Sequence, residues 1–333
     1  MAIKIKKLNK ENIVKKKVFI TRPILNDGLE LLLNQGFHVE VNDLNRPLTS
    51  EELSIKAQDF DALITMLSDK IDRDFLLKNS HLKVISNYAV GFNNIDLETA
   101  SAQKILIGNT PDVLTEATAE TALGLMIAAS RNFLSAQKSA SLGLWENWEP
   151  LGHLGFGLSG KTLGVIGLGR IGLRLASMCS EAFKMKIIYT SQNEKQNSIG
   201  AKWVELPELL SSSDFISLHI PLNPKTHKML GENEFKLMKK NVVLVNTSRG
   251  EVIDQEALIF ALKNDLIFAA GLDVTDPEPL PKDNELFSLK NAIVLPHIGS
   301  GSFEARSAMS VLAAKNIIAG LKGFELPAWV NRN

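Results

Sequence analysis

Cysteine is almost missing from this 333-residue chain, which carries Cys179 alone. That excludes an internal disulfide and any metal site built from clustered thiolates, and Cys179 itself, on the apolar side of a helical stretch, reads as core. A surplus of one charge is missing too. Lysine and arginine total 37 against 37 acidic residues, so nothing points to nucleic acid or an anionic membrane as a partner, and a small-molecule substrate fits better. No apolar run approaches the ~20 residues that span a bilayer, and no charged-then-apolar leader opens the chain, so a cytoplasmic protein is expected. Neither HExxH nor paired cysteines occur, and no metal is expected. Residues 1–17 hold seven lysines but no arginine, and read as a solvated, poorly ordered tail.

What is present is alternation. Short apolar strands at 18–21, 37–41, 62–66, 84–86 and 106–107, separated by helical stretches such as 24–34 and 72–77, predict a small parallel α/β domain over 18–110. Pro111 marks the passage into a second domain, 111–300, which opens with one long helix over 114–139. Trp145 and Trp148 follow in a glycine-rich segment, where indoles must be covered either by their own subunit or by another. Strands at 215–218, 242–246, 269–274 and 293–295 then alternate with helices near 207–210, 232–237 and 254–262. A last helix, 302–320, returns to the first domain, so residues 301–333 belong with 18–110 and that domain is discontinuous. The fold class expected is α/β, with two doubly wound parallel sheets.

Residues 161–189 spell strand, glycine turn, helix, strand, with GxGxxG at Gly167, Gly169 and Gly172. Gly167 permits the sharp turn, Gly169 lets backbone approach a pyrophosphate, and Gly172 brings helix and strand together; Arg170 and Ile171 open the helix whose N–H groups face the phosphates. This is the signature of a Rossmann coenzyme domain. About 20 residues further on, an acid would bind the ribose 2′-hydroxyl of NAD. Here Tyr189 is followed by Thr190, Ser191, Gln192 and Asn193, so NADP(H) is favoured and NAD(H) remains possible. His219, which precedes Ile220-Pro221 at another strand end, is read as part of the adenine wall, and Pro221 as a coenzyme-binding residue.

Three side chains past strand ends suit reduction of a 2-oxo acid, which needs an anion clamp and a proton donor. Arg249, in NTSRG at 246–250, offers a fork of donors for a carboxylate, although a surface ion pair would explain it as well. His297, in LPHIGS at 295–300, is the candidate acid, and Glu278, in the proline-stiffened DVTDPEPL at 273–280, could be held against it. In the first domain, Leu67-Ser68-Asp69 and Tyr88-Ala89-Val90-Gly91 follow strands, where open α/β sheets present ligand loops. Gly91 suits either a turn or N–H donation to a ligand.

GLGRIG at 167–172, NTSRG, GLDVTDPEPL and LPHIGS, in this order and spacing, resemble the D-2-hydroxyacid dehydrogenase family. NTPDVLTEATAE at 109–120 is most similar to its glyoxylate reductase/hydroxypyruvate reductase branch. The resemblance implies a flavodoxin-like substrate domain, reduction of glyoxylate and hydroxypyruvate, and an active site in the cleft between domains. It makes Arg249 the substrate clamp, His297 the general acid and Glu278 its orienting partner. It also implies that Val90 and Gly91 give N–H groups to the substrate carboxylate, that Leu67 and Ser68 line the pocket, and that Asp273 holds the nicotinamide carboxamide. Trp148 resembles a tryptophan that enters the neighbouring subunit's active site, which implies a homodimer, with Trp145 as the nearby rival. NADP-using relatives commonly place an arginine after the second strand, whereas this chain has Gln192, with Lys195 the nearest cation. Other D-lactate or phosphoglycerate members and a non-catalytic dinucleotide-sensing scaffold are the rival readings.

Overall fold

The computed structural model describes residues 15–332 and divides into two compact units, Met1–Pro111 with Arg306–Asn333, and Asp112–Ala305. Most of the lysine-rich tail read at 1–17 therefore lies outside the described residues.

Unit 1 runs β1 (Lys17–Ile20), α1 (Asn26–Asn34), β2 (His38–Val41), α2 (Ser50–Ala57), β3 (Ala62–Thr65), α3 (Arg73–Lys78), β4 (Val84–Asn87), α4 (Leu97–Ala102) and β5 (Leu106–Gly108). The strands form one parallel sheet in the order β2-β1-β3-β4-β5, the flavodoxin-like doubly wound arrangement. Its central strands are buried along their whole length and open on apolar residues, as Ala62, Leu63 and Ile64 do in β3, because helices cover both faces. Phe19, Leu63, Ile85 and Ile107 pack with Leu53, Phe60, Phe75 and Leu76 of the covering layer. Helices α2, α3 and α4 start on side-chain caps. Thr49 and Glu52 form a reciprocal capping box at α2, while Asp72 and Asp96 accept from Phe75 and Thr99 backbone N–H at α3 and α4. The C-terminal helix, Phe303–Leu321, is built into this unit from Arg306 onward: Asn316 Nδ2 donates to the Asn109 carbonyl at 2.9 Å, and Gly28 N–H to Ser310 Oγ at 3.1 Å.

Unit 2 begins with α5 (Thr115–Ser130) and α6 (Phe133–Ser141), then β6 (Thr162–Ile166), α7 (Arg170–Phe183), β7 (Lys186–Thr190), β8 (Lys202–Trp203), α8 (Leu206–Ser212) and β9 (Phe215–Leu218). It continues with α9 (Glu232–Leu237), β10 (Val243–Asn246), α10 (Gln255–Lys263), β11 (Ala269–Leu272) and β12 (Ala292–Val294). Seven parallel strands lie in the order β12-β11-β10-β9-β6-β7-β8, so the order reverses between β6 and β9. Side chains alternate between the two faces. On β10, Val243 and Val245 join the layer of α5 and α7, whereas Leu244 joins the layer of α8 to α10.

The single helix expected over 114–139 is two helices. Asn132 sits between them in the left-handed region, at φ 55° and ψ 32°, a conformation asparagine tolerates. The loop at 154–156 competes for the helix end: Asn132 Nδ2 donates to the Leu154 carbonyl at 2.7 Å, and Phe156 N–H takes the Ser130 carbonyl at 2.8 Å. Gly155 lies so near that a β-carbon on it would stand 2.0 Å from that carbonyl oxygen. Nor do the described residues cover the indoles of Trp145 and Trp148. Trp145 is 75% exposed and Trp148 82%, beside exposed Leu142, Leu144, Leu151 and Leu154.

Candidate active site

The loop after β10 is shaped by Asn246, whose side chain is buried. Its Oδ1 accepts from Ser248 N–H and Oγ at 2.9 and 2.8 Å, and its Nδ2 donates to the Arg249 carbonyl at 2.8 Å. Arg249 is thereby presented half-buried, with Nη1 donating to the Ser248 carbonyl at 2.7 Å. Burial lowers its pKa, against the opposing pull of Glu278 and Glu251. A guanidinium stays charged through any such shift, so the loop after β10 carries a partly desolvated cation.

The loop after β12 hangs from Asp273, the residue that follows β11. Its carbonyl accepts from His297 N–H at 2.9 Å, and its two carboxylate oxygens accept from Ile298 and Gly299 N–H, each at 2.7 Å. Asp273 is buried, which raises its pKa, while the two N–H bonds and the nearby His297 favour the charged form. So anchored, His297 adopts φ 54° and sets Nδ1 2.5 Å from Glu278 Oε1. With Nδ1 engaged by a carboxylate, Nε2 is the ring nitrogen that can give or take a proton. The Glu278 loop is itself tied down: Asp276 N–H donates to Gln255 Oε1 at 3.1 Å, and Thr275 Oγ1 to the Pro277 carbonyl at 2.9 Å. Glu278 and His297 border a cavity of about 320 Å³ whose other walls include Thr275, Leu280, Phe287 and Leu295.

The glycine turn after β6 has the geometry its sequence requires. Gly167 has φ +96°, and a β-carbon there would come within 2.5 Å of the His219 carbonyl oxygen; one on Gly172 would come within 2.3 Å of the Gly167 carbonyl oxygen. Gly169 differs, for a β-carbon on it would meet nothing within 4 Å. Open space therefore lies against bare backbone at the N-terminus of α7, which fits the pyrophosphate of a dinucleotide. Ile171 packs its side chain on the core behind the turn, and Arg170 Nε lies 2.5 Å from Asp112 Oδ1. At the end of β7, the Thr190 carbonyl accepts from Gly167 N–H at 2.9 Å, and Ser191 Oγ donates to the Asn193 carbonyl at 2.6 Å. Pro221 is exposed, its carbonyl accepting from Thr226 Oγ1 at 2.7 Å.

Residues 123–299 match the family described as D-isomer specific 2-hydroxyacid dehydrogenase, NAD binding domain. The chain belongs to this family. It is 46% identical over 328 residues to the glyoxylate reductase of Thermococcus litoralis, covering 96% of this chain and 98% of that one. Among solved structures, a protein of Thermus thermophilus superposes with a TM-score of 0.90 at 40% identity, covering 94% of this chain and 99% of that one. An acyclic imino acid reductase in complex with NADPH and D-Arg gives a TM-score of 0.84 at 29% identity, covering 94% and 99%. The coenzyme of the dehydrogenase is thus a nicotinamide dinucleotide, for which Gly167, Gly169 and the first turn of α7 provide the fitting backbone.

Within unit 1 of the dehydrogenase, Leu67 and Ser68 lie in the loop after β3, and Val90 and Gly91 in the loop after β4. The structure joins these two loops through residues that sequence reasoning passed over. Asn94 Nδ2 donates to the Met66 and Asp69 carbonyls at 3.1 and 2.9 Å, and Asn87 Nδ2 to the Gly91 carbonyl at 2.8 Å. Asn109 Nδ2 fixes the Val90 carbonyl at 2.9 Å. Buried Asp69, its pKa raised by desolvation, accepts from Thr21 Oγ1 at 2.5 Å and from Met66 N–H at 2.7 Å. Asn87 at the end of β4 and Asn109 directly after β5 were the available signal. Among the described residues no cluster of three or more His, Cys, Asp or Glu is placed to hold a metal, and no helix is long and apolar enough to cross a membrane.

Proposed function

We propose that this dehydrogenase reduces glyoxylate and hydroxypyruvate to the corresponding 2-hydroxy acids, of D configuration where the product is chiral. NADP(H) is the preferred coenzyme, NAD(H) is usable, and the working form is a cytoplasmic homodimer. The observation that carries the chemistry is the 2.5 Å contact between His297 Nδ1 and Glu278 Oε1. Glu278 fixes the ring orientation and stabilises the imidazolium, so His297 Nε2 delivers its proton to the substrate carbonyl oxygen. Arg249 receives the substrate carboxylate and draws electron density toward the carbonyl oxygen as charge develops there. Leu67, Ser68 and the N–H groups of Val90 and Gly91 are assigned to substrate binding, and Asp273 positions the His297 loop besides facing the nicotinamide carboxamide. Arg170, Ile171, Thr190, Ser191 and Pro221 line the coenzyme. The bound reduced coenzyme supplies the hydride, and no metal takes part.

Glyoxylate is supported by the likeness to the Thermococcus litoralis glyoxylate reductase, hydroxypyruvate by the motif resemblance, and the dimer by the exposure of Trp145 and Trp148. The test is a substrate profile of kcat/KM for glyoxylate, hydroxypyruvate, pyruvate and phosphohydroxypyruvate. Glyoxylate and hydroxypyruvate are expected to lead; a lead for pyruvate or the phosphorylated acid would move the protein to another branch of the family.

A further inference from the structure

We infer that Lys195 is the cation that reads the adenosine 2′-phosphate of the coenzyme, so that NADPH is chosen over NADH by the loop beyond β7 rather than by the strand end. This rests on the coenzyme preference proposed above. The strand end offers no charge: Thr190, Ser191, Gln192 and Asn193 are all neutral, and the Ser191 hydroxyl proton is given to the Asn193 carbonyl. The loop then folds back on a fixed hinge. Tyr189, whose ring is fully buried in the sheet, accepts Lys195 N–H on its hydroxyl at 2.7 Å and donates that hydroxyl to the Lys195 carbonyl at 2.9 Å. Asn197 closes the loop from the other side, its Oδ1 accepting Ala201 N–H at 2.9 Å and its Nδ2 donating to the Ala201 carbonyl at 3.0 Å.

The side chain of Lys195 is turned toward the glycine turn as a result, with Nζ donating to the Leu168 carbonyl at 3.1 Å. Leu168 stands between Gly167 and Gly169. The ammonium therefore bridges the ends of β6 and β7, where this fold seats the ribose of the adenosine half. An ammonium has three N–H donors, and one neutral carbonyl uses one of them. Among the described residues, Lys195 Nζ makes no ion pair, and the Leu168 carbonyl is the partner it does engage.

Isothermal titration of the full-length protein with adenosine 2′,5′-bisphosphate and with 5′-AMP tests this without turnover. Wild type is expected to bind the bisphosphate at least about tenfold tighter, a margin suited to one charge-assisted contact. Lys195→Ala should lose that margin while its affinity for 5′-AMP stays put, Lys195→Arg should keep it, and the KM for NADPH should rise in Lys195→Ala without a matching rise for NADH. Equal weakening of both ligands would show that Lys195 merely latches the glycine turn, and unchanged binding would place it outside the site; either result overturns the inference. Wild type that binds both ligands equally would remove the 2′-phosphate reading alone, whereas wild type that binds neither would remove the coenzyme-site reading beneath it.

Discussion

A β-carbon on Gly250 would stand 2.0 Å from the carbonyl oxygen of Thr275, so these two residues hold the loop of Arg249 flush against the loop of Glu278. No side chain fits between them. Gly250→Ala is expected to push the loops apart, with a loss of stability of about 1–3 kcal/mol, the usual cost of overpacking. Activity should fall more than stability does, because clamp and proton-donor support move together. Urea unfolding and kcat/KM on one preparation decide it; a variant with both values unchanged would show that the loops yield freely.

Glu278→Gln keeps the size of the side chain and removes the charge that supports a protonated imidazole. A kcat reduced by about 10–10³ is expected at neutral pH, within the range of a positioned acid. A kcat within a few-fold of wild type would reduce Glu278 to a packing role.

Arg249→Lys preserves charge but loses the fork. Turnover and substrate KM should both deteriorate, by a combined factor of about 10²–10³ in kcat/KM, in line with losing a charge-assisted donor pair at the reacting group. Wild-type kinetics in this variant would mean the substrate carboxylate is bound elsewhere.

Burial pulls the pKa of His219 from the usual 6.5 down to about 4, and its Nε2 lies 2.8 Å from Ser217 Oγ. Between those two pH values the unfolded chain takes up a proton that the fold refuses, so stability falls as pH drops through this window. Buried Asp69 and Asp273, whose pKa values are raised, act in the opposite direction. His219→Gln should flatten the decline in urea midpoint between neutral and mildly acidic pH, and a decline as steep as wild type would assign the slope to other groups.

If a second copy covers the exposed arm, replacing Trp145 and Trp148 together by alanine should shift the sedimentation coefficient from dimer to monomer at micromolar concentration. Each indole buried at an interface is a large apolar contribution. A wild-type protein that sediments as a monomer would contradict the proposed assembly at once.

The sheets were legible because strands buried on both faces carry short apolar runs, as in Val243-Leu244-Val245 and Ala62-Leu63-Ile64. Helix α2 was not expected, although Thr49 and Glu52 spell its capping box. With only Leu53 and Ala57 buried among its eight residues, its apolar period is too thin to register. The break at Asn132 was hidden for the opposite reason: apolar Phe133 continues the helical pattern, and the cause lies in the Leu154–Phe156 loop, far along the chain. Motif spacing singled out Arg249, Glu278 and His297, yet it could not show that Asp273 suspends the His297 loop. That role depends on backbone partners 25 and 26 residues away. The same holds for Asn87, Asn94 and Asn109, whose amides acquire meaning only once β3, β4 and β5 lie side by side.

The most direct measurement is oxidation of NADPH and NADH with glyoxylate by wild type and by His297→Ala, alongside coenzyme binding to each. Wild type should turn over with both coenzymes and favour NADPH, while the variant binds coenzyme as before and loses about 10²–10⁴ in kcat, the contribution of a general acid. A variant within a few-fold of wild type, or a wild type that binds coenzyme but reduces no 2-oxo acid, would contradict the assignment of His297 and its partner Glu278 as the proton-delivering pair.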